Sequence, residues 1–466
     1  MATIPGLTTA GHVSYDEALV RRRVQDLAEA GVRYVVASMV DSGSINRVKC
    51  FRLDDFAQFA RAGSGFSILW ALVLSNDHFT RTEAIKGPVG DIRMLPDPAA
   101  LVQLAATPEW AWAPMDLFDQ EGAPLSICPR QFLKRMVAEA TARGYTLGMA
   151  YEFEWFMATV DEDGRVEPVH RGPGYSANAW AQTNEFLGDL MDALYAQGVV
   201  ISQLHPEYSD GQMEVSLGVA DPLSAADWHV LLRHTVRSIG EQHGYRSSFS
   251  PVTVPGLGSG CHLHFSLYDR AGDNLFSGGD RVVELTANGE AFLAGVLAEL
   301  DALIALACPT VPSFERLQPQ HWAGAYQCWG HENREAALRF IKGMVGGRRQ
   351  TANMEFKAVD CAGHPYLVPG AVIAAGLNGV EQGLTLPEAC SFDPGALSDA
   401  EREASGISRL PASLREAAER LAASEVLRAA MGPLLHDCMV AVRRAEAEAD
   451  EGRPIDELVR EQLWRF

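Results

Sequence analysis

The stretch GMAYEFEWFM, residues 148–157, decides the fold. Large apolar side chains occupy every second position, as in a β-strand with one buried face: Met149, Tyr151, Phe153, Trp155 and Met157. Glu152 and Glu154 also lie two residues apart, so both carboxylates point to the same face. Two like charges side by side on an apolar strand repel each other and resist desolvation. The pattern predicts a buried strand whose carboxylates need a neutralising partner.

Composition excludes several classes of protein. The chain has 466 residues, 47% of them hydrophobic, which is enough for a large core and more than one domain. Its net charge of −21 argues against a nucleic-acid surface. No apolar run reaches ~18–20 residues, so we expect no membrane span. The N-terminus lacks the pattern of a secretory signal, and the eight cysteines are scattered without a CxxC pair. These features predict a cytoplasmic chain with reduced thiols.

The pattern of apolar residues divides the chain into two parts. The first part, up to about residue 110, is predicted to be a small α+β domain with a helix at 15–32 and strands at 32–41, 46–53 and 90–98. The second part mixes both element types, with helices at 128–144 and 224–244 and strands at 148–157, 212–218, 261–267 and 334–341. From about residue 398 onward the pattern is helical, as in 410–432 and 437–452.

Four short segments carry carboxylates and imidazoles on apolar strands. They are YEFEWF (151–156), HPEYSDGQMEVS (205–216), GSGCHLHFSL (258–267) and ANMEFKAVD (352–360). A single Glu-x-Glu or His-x-His pair is more often a solvated face or ordinary polar packing, but four such segments in one chain favour a shared site. Inward-facing glutamates and a histidine would form an oxygen-rich cage for Mg²⁺ or Mn²⁺. This cage would neutralise Glu152 and Glu154.

Arginines and glycines add the features of a phosphate site. Arg316, Arg334 and Arg339 lie within 313–340, and guanidinium groups bind carboxylate and phosphate through two hydrogen bonds. The Gly-Ser-Gly loop at 258–260 could approach a nucleotide closely. Metal ions together with arginines indicate phosphoryl transfer, in which the charge of the moving group must be neutralised.

With these motifs in this order, the chain resembles the glutamine synthetase family, and in particular its γ-glutamylamide and γ-glutamylpolyamine synthetase types. The resemblance rests on VDSGSINRVK, GSGFS, DIRMLPDP, YEFEWF, PEYSDGQME, GSGCHLHFSL, SFERLQP, ENREAALRF and NMEFKAVDCAGHPYL. It implies an α+β protein with an N-terminal β-grasp domain (1–110) and a C-terminal catalytic α/β domain (111–466). It also implies a homo-oligomer, a dodecamer of two stacked hexameric rings with active sites shared between neighbouring subunits.

The resemblance also implies a role for each matching residue, with two or more Mg²⁺ or Mn²⁺ ions and ATP at each site. Glu154, Glu207 and Glu214 match the ligands of one metal ion, and Glu152, His262 and Glu355 those of a second. His264 and Ser266 match ATP contacts, Arg334 and Arg339 phosphate contacts, and Arg316 a carboxylate contact. Gly258 and Lys357 fall on the side that holds the acid substrate. Asp41 matches the residue that a neighbouring subunit lends to the ammonium.

The implied reaction has two steps: ATP phosphorylates the γ-carboxylate of glutamate, and an amine then attacks the γ-glutamyl phosphate. The chain departs from the family on the acid and amine side. Trp322 stands at the flap position of a catalytic glutamate, Leu257 and His364 replace asparagines, and Lys357 replaces an arginine. A Trp cannot accept a proton from ammonium but offers an apolar wall and a cation–π face. We therefore expect an organic amine. Three alternatives stay open. The enzyme uses ammonium as a glutamine synthetase does, it acts on an acid other than glutamate, or the protein is a catalytically silent homologue with a binding or regulatory role.

Overall fold

A computed structural model describes residues 4, 6–8, 15–254 and 257–466. The N-terminal part forms a six-stranded sheet with helices against it. Its elements are α1 (Glu17–Glu29), β1 (Tyr34–Val40), β2 (Asn46–Arg52), α2 (Phe56–Ala62), β3 (Ser64–Ser67), β4 (Asp91–Pro96), β5 (Val102–Gln103) and β6 (Trp110–Phe118). The strand order is β2-β1-β6-β4-β3, with β5 paired to β6. Strands β1 and β6 are parallel, and the other pairs are antiparallel.

Helix α1 begins where its sequence provides a cap. Asp16 accepts a hydrogen bond from the backbone N–H of Leu19 at 2.9 Å, which satisfies one of the free donors of the first turn. Its buried residue Val20 packs with Val35 of β1 and Phe56 of α2. The predicted helix and strands of this part are confirmed, each within a few residues of its expected bounds.

The small sheet continues beyond residue 110. Strand β6 begins at Trp110 and pairs with β1 and β4 through to Phe118. A division at residue 110 would therefore separate β6 from its partners. We propose that the domain boundary lies after Phe118 instead.

The C-terminal part is built on a ten-stranded sheet covered by helices. The strands of this part are β7 (Thr146–Val160), β8 (Val166–Pro168), β9 (Ile201–Pro206), β10 (Gln212–Leu217), β11 (Arg246–Ser248), β12 (Val252–Val254), β13 (Leu257–Gly258), β14 (Cys261–Tyr268), β15 (Tyr326–His331), β16 (Ala336–Ile341), β17 (Asn353–Phe356) and β18 (Ser408–Arg409). The order in the large sheet is β18-β15-β16-β17-β14-β7-β10-β9, with β8 and β11 paired to β7. Strands β12 and β13 form a separate two-stranded sheet.

Most helices of this part share the main hydrophobic core with the large sheet. They are α3 (Pro129–Ala142), α4 (Ala177–Ala196), α5 (Pro222–Gln242), α6 (Ala287–Ala298), α7 (Leu300–Ala307), α8 (Ser313–Arg316), α9 (Arg348–Thr351), α10 (Leu367–Gln382), α11 (Asp399–Ala404), α12 (Leu414–Ala423), α13 (Glu425–Met431), α14 (Pro433–Ala449) and α15 (Ile455–Gln462). None of the helices in the described ranges is long and apolar enough to cross a membrane.

Strand β7 lies at the centre of the large sheet and has the predicted alternation. Tyr151, Phe153 and Trp155 are at most 2% exposed and belong to the main core. Glu152 and Glu154 are half-buried on the opposite face. The strand predicted for 148–157 is thus confirmed and extends three residues further at its C-terminal end.

The helical pattern predicted for 410–432 is confirmed, and in the structure it forms two helices, α12 and α13, separated at Ser424. Ser424 has an extended backbone, and its hydroxyl accepts a hydrogen bond from Leu427 N at 3.0 Å. Serine favours such capping positions over helix interiors, and this local preference outweighs the apolar periodicity.

A buried cluster of charges joins the two parts of the chain. Arg130 of α3 lies 2.9 Å from Asp97, 2.8 Å from Asp116 and 2.7 Å from Asp227. Asp97 follows β4 and Asp116 lies on β6, whereas Asp227 lies on α5. Because each of these charges is desolvated, the cluster is stable only when all partners are in place. It therefore fixes the small sheet against the helices of the large one.

Candidate active site

The register of the large sheet brings the polar residues of these segments into three adjacent rows on one face. Glu214 of β10 pairs with Glu154 of β7, and Glu152 pairs with His262 of β14. In the row next to the Glu152–His262 pair, Glu355 of β17 lies between His264 of β14 on one side and Arg339 of β16 on the other. Side chains at paired positions of antiparallel strands project to the same face. Residues from five neighbouring strands thus meet on the face opposite the core.

The first group of ligand atoms belongs to Glu152, His264 and Glu355. One carboxylate oxygen of each glutamate and one imidazole nitrogen of His264 lie within 4.8 Å of one another. His262 is also close, because its Nδ1 is 3.0 Å from Glu152 Oε1 and 3.2 Å from Glu355 Oε1. The structure therefore brings together Glu152, His262 and Glu355 as expected, and adds His264 to them.

Cations stabilise the ionised form of this first group. Burial acts to raise the pKa of Glu355, but Lys357 at 3.1 Å and His262 outweigh it and hold that pKa well below its usual range. Arg339 contributes a further contact, with its Nη1 3.0 Å from Glu355 Oε2. Burial likewise opposes ionisation of Glu152, yet the contact with His262 lowers its pKa to about 2. Both carboxylates are therefore charged at neutral pH.

The second group of ligand atoms has an opposite electrostatic balance. It comprises His205, Glu207 and Glu214, with ligand atoms within 4.8 Å of one another. Burial, together with the charges of Glu214 and Glu154, raises the pKa of Glu207 to about 7 even though Tyr175 donates a hydrogen bond to it at 2.6 Å. Burial also raises the pKa of Glu214. Two carboxylates share one imidazole in this group, and the hydrogen bond with Glu214 raises the pKa of His205.

Glu154, Arg316 and two glycines complete the centre of the site. Glu154 Oε2 accepts hydrogen bonds from Gln212 Nε2 and from the backbone N–H of Gly260, both at 2.9 Å. A Cβ at Gly260 would come within 2.6 Å of His262 Nε2 and 2.7 Å of Arg316 Nη2. A Cβ at Gly258 would likewise come within 2.8 Å of Arg316 Cγ. These glycines are required by the close approach of the site residues themselves.

The two groups of ligand atoms have the chemistry of divalent metal sites. Carboxylate oxygens dominate, and each group adds a single imidazole nitrogen. Oxygen-rich donor sets suit hard cations such as Mg²⁺ and Mn²⁺, whereas thiolates would indicate softer metals. Glu207 Oε2 is also buried without a hydrogen-bond partner among the described residues. Burying such an oxygen costs free energy of folding unless it binds a cation or a proton. The residues of this group therefore fit a metal ion.

A cavity of about 370 Å³ opens beside the first group. It is lined by Glu152, Gln203, Ser216, His264, Ser266 and Asn353, among others. His264 Nδ1 is 2.9 Å from Asn353 Oδ1, and Ser266 donates to the backbone carbonyl of Ala352 at 2.8 Å. His264 and Ser266, which the resemblance assigns to ATP, therefore lie on the wall of a cavity adjoining the carboxylates.

Two predicted residues lie apart from the carboxylates. Arg334 is exposed in the turn between β15 and β16. Asp41, at the end of β1, is buried in its own chain, with Arg47 Nε 2.6 Å from its Oδ2. Burial raises the pKa of Asp41 to about 6, although Arg47 opposes this shift. Within one subunit, the charge partner of Asp41 is thus Arg47.

Trp322 occupies an exposed loop whose shape depends on Glu335. The indole is 56% exposed, and the backbone has a φ of 55°, which is unusual for a bulky residue. Glu335 accepts hydrogen bonds from the backbone N–H of Trp322 at 2.9 Å and of Gln320 at 3.2 Å. This buried carboxylate therefore holds the loop in its left-handed conformation.

Two other residues, His364 and Leu257, replace asparagines of the family pattern. His364 is fully buried, and its Nδ1 accepts from the backbone N–H groups of Tyr366 and Leu367, both at 3.3 Å. It therefore supports the start of α10. Burial lowers its pKa to about 3, so it is neutral. Nothing is described of the side chain of Leu257.

Sequence reasoning missed four residues. His205 is 3.2 Å from Glu214, and Tyr175 donates a hydrogen bond to Glu207. Tyr208 contacts the ring of Trp322, and Glu335 accepts a hydrogen bond from the backbone of Trp322. The signal for His205 was present, because it lies two residues before Glu207 at the end of a strand. Tyr175 and Glu335 lie on separate loops, and no spacing in the sequence connects them to the carboxylates.

The chain matches known proteins over most of its length. A family model described as the catalytic domain of glutamine synthetase matches residues 126–459. Gamma-glutamylpolyamine synthetase GlnA3 of Streptomyces coelicolor is 43% identical over 95% of each chain. A glutamine synthetase of Halobacterium salinarum is 32% identical over 76% of this chain and 79% of its own. The crystal structure of a glutamine synthase homologue superposes with a TM-score of 0.82 at 32% identity, covering 93% of this chain and 99% of the other. This chain therefore belongs to the glutamine synthetase family.

Proposed function

We propose that the protein is an ATP-dependent ligase that joins the γ-carboxylate of glutamate to an organic amine, with diamines and polyamines as the first candidates. ATP phosphorylates the carboxylate, giving ADP and γ-glutamyl phosphate. The amine then attacks the acyl carbon and phosphate leaves. The relative with 43% identity is named as a gamma-glutamylpolyamine synthetase, which supports this choice of amine.

A single contrast within the site carries this proposal. The acidic and imidazole groups suited to metal ions and phosphate are retained, including Glu355 with Arg339. Trp322 stands where the family has a carboxylate, and it lies beside the phenol ring of Tyr208, the residue after Glu207. The residues suited to phosphoryl transfer therefore match the family pattern. The position that would select the amine departs from that pattern by carrying an aromatic residue.

The chain's own residues have clear tasks in this reaction. Arg339 and Lys357 offset negative charge beside Glu355, where phosphate oxygens would also need neutralising. Arg316 Nη1 is buried without a hydrogen-bond partner in the described chain, so it is available to bind a substrate carboxylate. Mg²⁺ or Mn²⁺, held by the two groups of ligand atoms, would supply charge neutralisation for the phosphates.

Phosphate release tests the proposal directly. The enzyme is assayed with ATP, Mg²⁺ and glutamate, and with ammonium, monoamines, diamines or polyamines as the acceptor. We expect release that depends on both glutamate and an organic amine, with mass spectrometry detecting the γ-glutamylamide. Faster turnover with ammonium than with every organic amine would favour a glutamine synthetase. No release with any acceptor would favour a silent homologue, a reading disfavoured by the cost of retaining buried carboxylates.

The proposal extends to three further features that the family resemblance implies. We assign the six-stranded sheet with α1 and α2 to the β-grasp type, because it is a mixed sheet with helices packed against it. We further propose a cytoplasmic dodecamer of two stacked hexameric rings. The eight cysteines are free and only Cys50 is exposed, which agrees with a reducing compartment.

A ring with shared sites predicts that two inactive variants restore each other. If each site takes Asp41 from one subunit and Glu214 from its neighbour, random mixing of Asp41→Asn and Glu214→Gln subunits leaves about a quarter of the sites intact. Co-expression with two affinity tags and sequential purification isolates the mixed oligomers. We expect about a quarter of the wild-type activity per site, against near zero for either variant alone.

The control for this experiment mixes Asp41→Asn with Asp41→Ala, which leaves no intact site under any arrangement. Activity in that control, or no recovery in the first mixture, would contradict a shared site. In the latter case, the contact of Asp41 with Arg47 within its own chain would be its whole role.

A further inference from the structure

Two aromatic side chains from separate loops meet at the edge of the candidate active site. The ring centroids of Tyr208 and Trp322 are 6.2 Å apart and the planes are at 69°, an edge-to-face arrangement. The residues are 63% and 56% exposed. A pair of large rings from two loops in contact yet open to solvent is unusual for a surface without a ligand.

Both rings are held in place by their surroundings. Tyr208 immediately follows Glu207, and it packs against Gly174, where a Cβ would come within 2.9 Å of the tyrosine Cδ2. Trp322 is positioned by the hydrogen bond from its backbone to Glu335. The left-handed backbone of Trp322 is unfavourable for this residue type, and the local structure maintains it. The arrangement is therefore preorganised.

A third aromatic residue connects this pair to the carboxylates. Tyr175 adjoins Gly174 in sequence, and its hydroxyl donates to Glu207 Oε1 at 2.6 Å. Its ring centroid lies 5.4 Å from that of His205. From the second group of ligand atoms outward, the surface thus changes from carboxylate to phenol to the exposed Tyr208–Trp322 pair.

The chemistry of the pair selects one class of amine. Aromatic faces attract ammonium groups and also cover methylene chains. The amine that attacks an acyl phosphate must lose its proton, so a monoamine has no cation left for the rings. A diamine or polyamine keeps a second ammonium at a distance. We infer that Tyr208 and Trp322 form a subsite for the methylene chain and distal ammonium of a diamine or polyamine. This inference rests on the proposed function and assigns its specificity to named residues.

The test compares two amines of equal chain length, 1,4-diaminobutane and n-butylamine. The ratio of their kcat/KM values is measured for wild type, Tyr208→Leu and Tyr208→Phe, with ATP, Mg²⁺ and glutamate saturating. Loss of one aromatic face is expected to lower the ratio of diamine to monoamine about 5- to 30-fold in Tyr208→Leu. Tyr208→Phe keeps the ring and should retain the wild-type ratio. Tyr195→Leu, at an exposed tyrosine of α4, should leave both amines unaffected.

Binding measurements separate failure of this inference from failure of the proposed function. Calorimetry of 1,4-diaminobutane with the full-length enzyme, ATP analogue and Mg²⁺ needs no turnover, and Tyr208→Leu should weaken the Kd by a similar factor. An equal loss for both amines, or an unchanged ratio and Kd, would overturn the subsite. Turnover with ammonium alone would reject the proposed function, while the diamine Kd would still decide whether the rings bind a dication.

Discussion

Glu214→Gln is expected to lower turnover by about 1,000-fold, since metal-assisted charge stabilisation is worth several kcal/mol and each 1.4 kcal/mol corresponds to about tenfold in rate. Glutamine preserves the size of the side chain and a hydrogen-bond acceptor for His205, which lies 3.2 Å away. What it removes is one negative charge from the group formed with Glu207. A divalent cation at this group would lose a charged ligand.

The same variant should not reduce the stability of the metal-free protein. Burial raises the pKa of Glu214, and the charge of Glu214 contributes to the pKa of about 7 at Glu207. A raised carboxylate pKa means that ionisation disfavours the folded state, so at pH 8 a neutral glutamine relieves repulsion. The Tm without metal should therefore be equal or higher. The rise in Tm on adding Mn²⁺, which reports binding to the folded state, should become smaller.

The matched control is Glu162→Gln, an exposed glutamate just beyond β7. It should retain both activity and the metal-dependent rise in Tm. Near-normal turnover in Glu214→Gln, or an undiminished response of its Tm to Mn²⁺, would refute a metal at this group.

Trp322→Glu is expected to shift the preference from organic amines towards ammonium by about 100-fold. Loss of roughly 100 Å² of apolar contact at about 25 cal/mol per Å² costs about 2.5 kcal/mol, or about 60-fold in kcat/KM for an organic amine. The new carboxylate adds attraction for a small cation and can accept its proton. The measurement is kcat/KM for n-butylamine and for ammonium, in wild type and variant.

Two further variants isolate the causes of that shift. Trp322→Gln removes the ring without adding a charge, so it should reproduce the loss with n-butylamine but not the gain with ammonium. Trp180→Glu changes an indole of α4 that is also 56% exposed, and it should have no effect on either amine. If wild type already prefers ammonium, or if Trp322→Glu leaves the ratio unchanged, the role assigned to this indole is wrong.

The elements that the sequence predicted well are those with strong local periodicity. Strand β7 follows from alternating large residues, and α3 follows from its apolar pattern with Pro129 near its start and Gly144 at its end. The helical pattern predicted for 410–432 did not locate the break at Ser424, because a single side-chain hydrogen bond there begins the second helix. The domain boundary expected near residue 110 could not be located from local periodicity, because it depends on the pairing of β6 with β1 and β4.

The sequence by itself determined the kinds of groups in the site, because Glu-x-Glu and His-x-His spacing on a strand fixes which side chains share a face. It could not determine which strands become neighbours. Only the tertiary structure placed Glu355 between His264 and Arg339, and brought Tyr208 against Trp322. It also paired Asp41 with Arg47 and left Arg334 exposed. The physical reason is that periodicity acts through local backbone geometry, whereas charge pairing and ring contacts arise between residues far apart in sequence, where sheet register and loop conformation decide the distances.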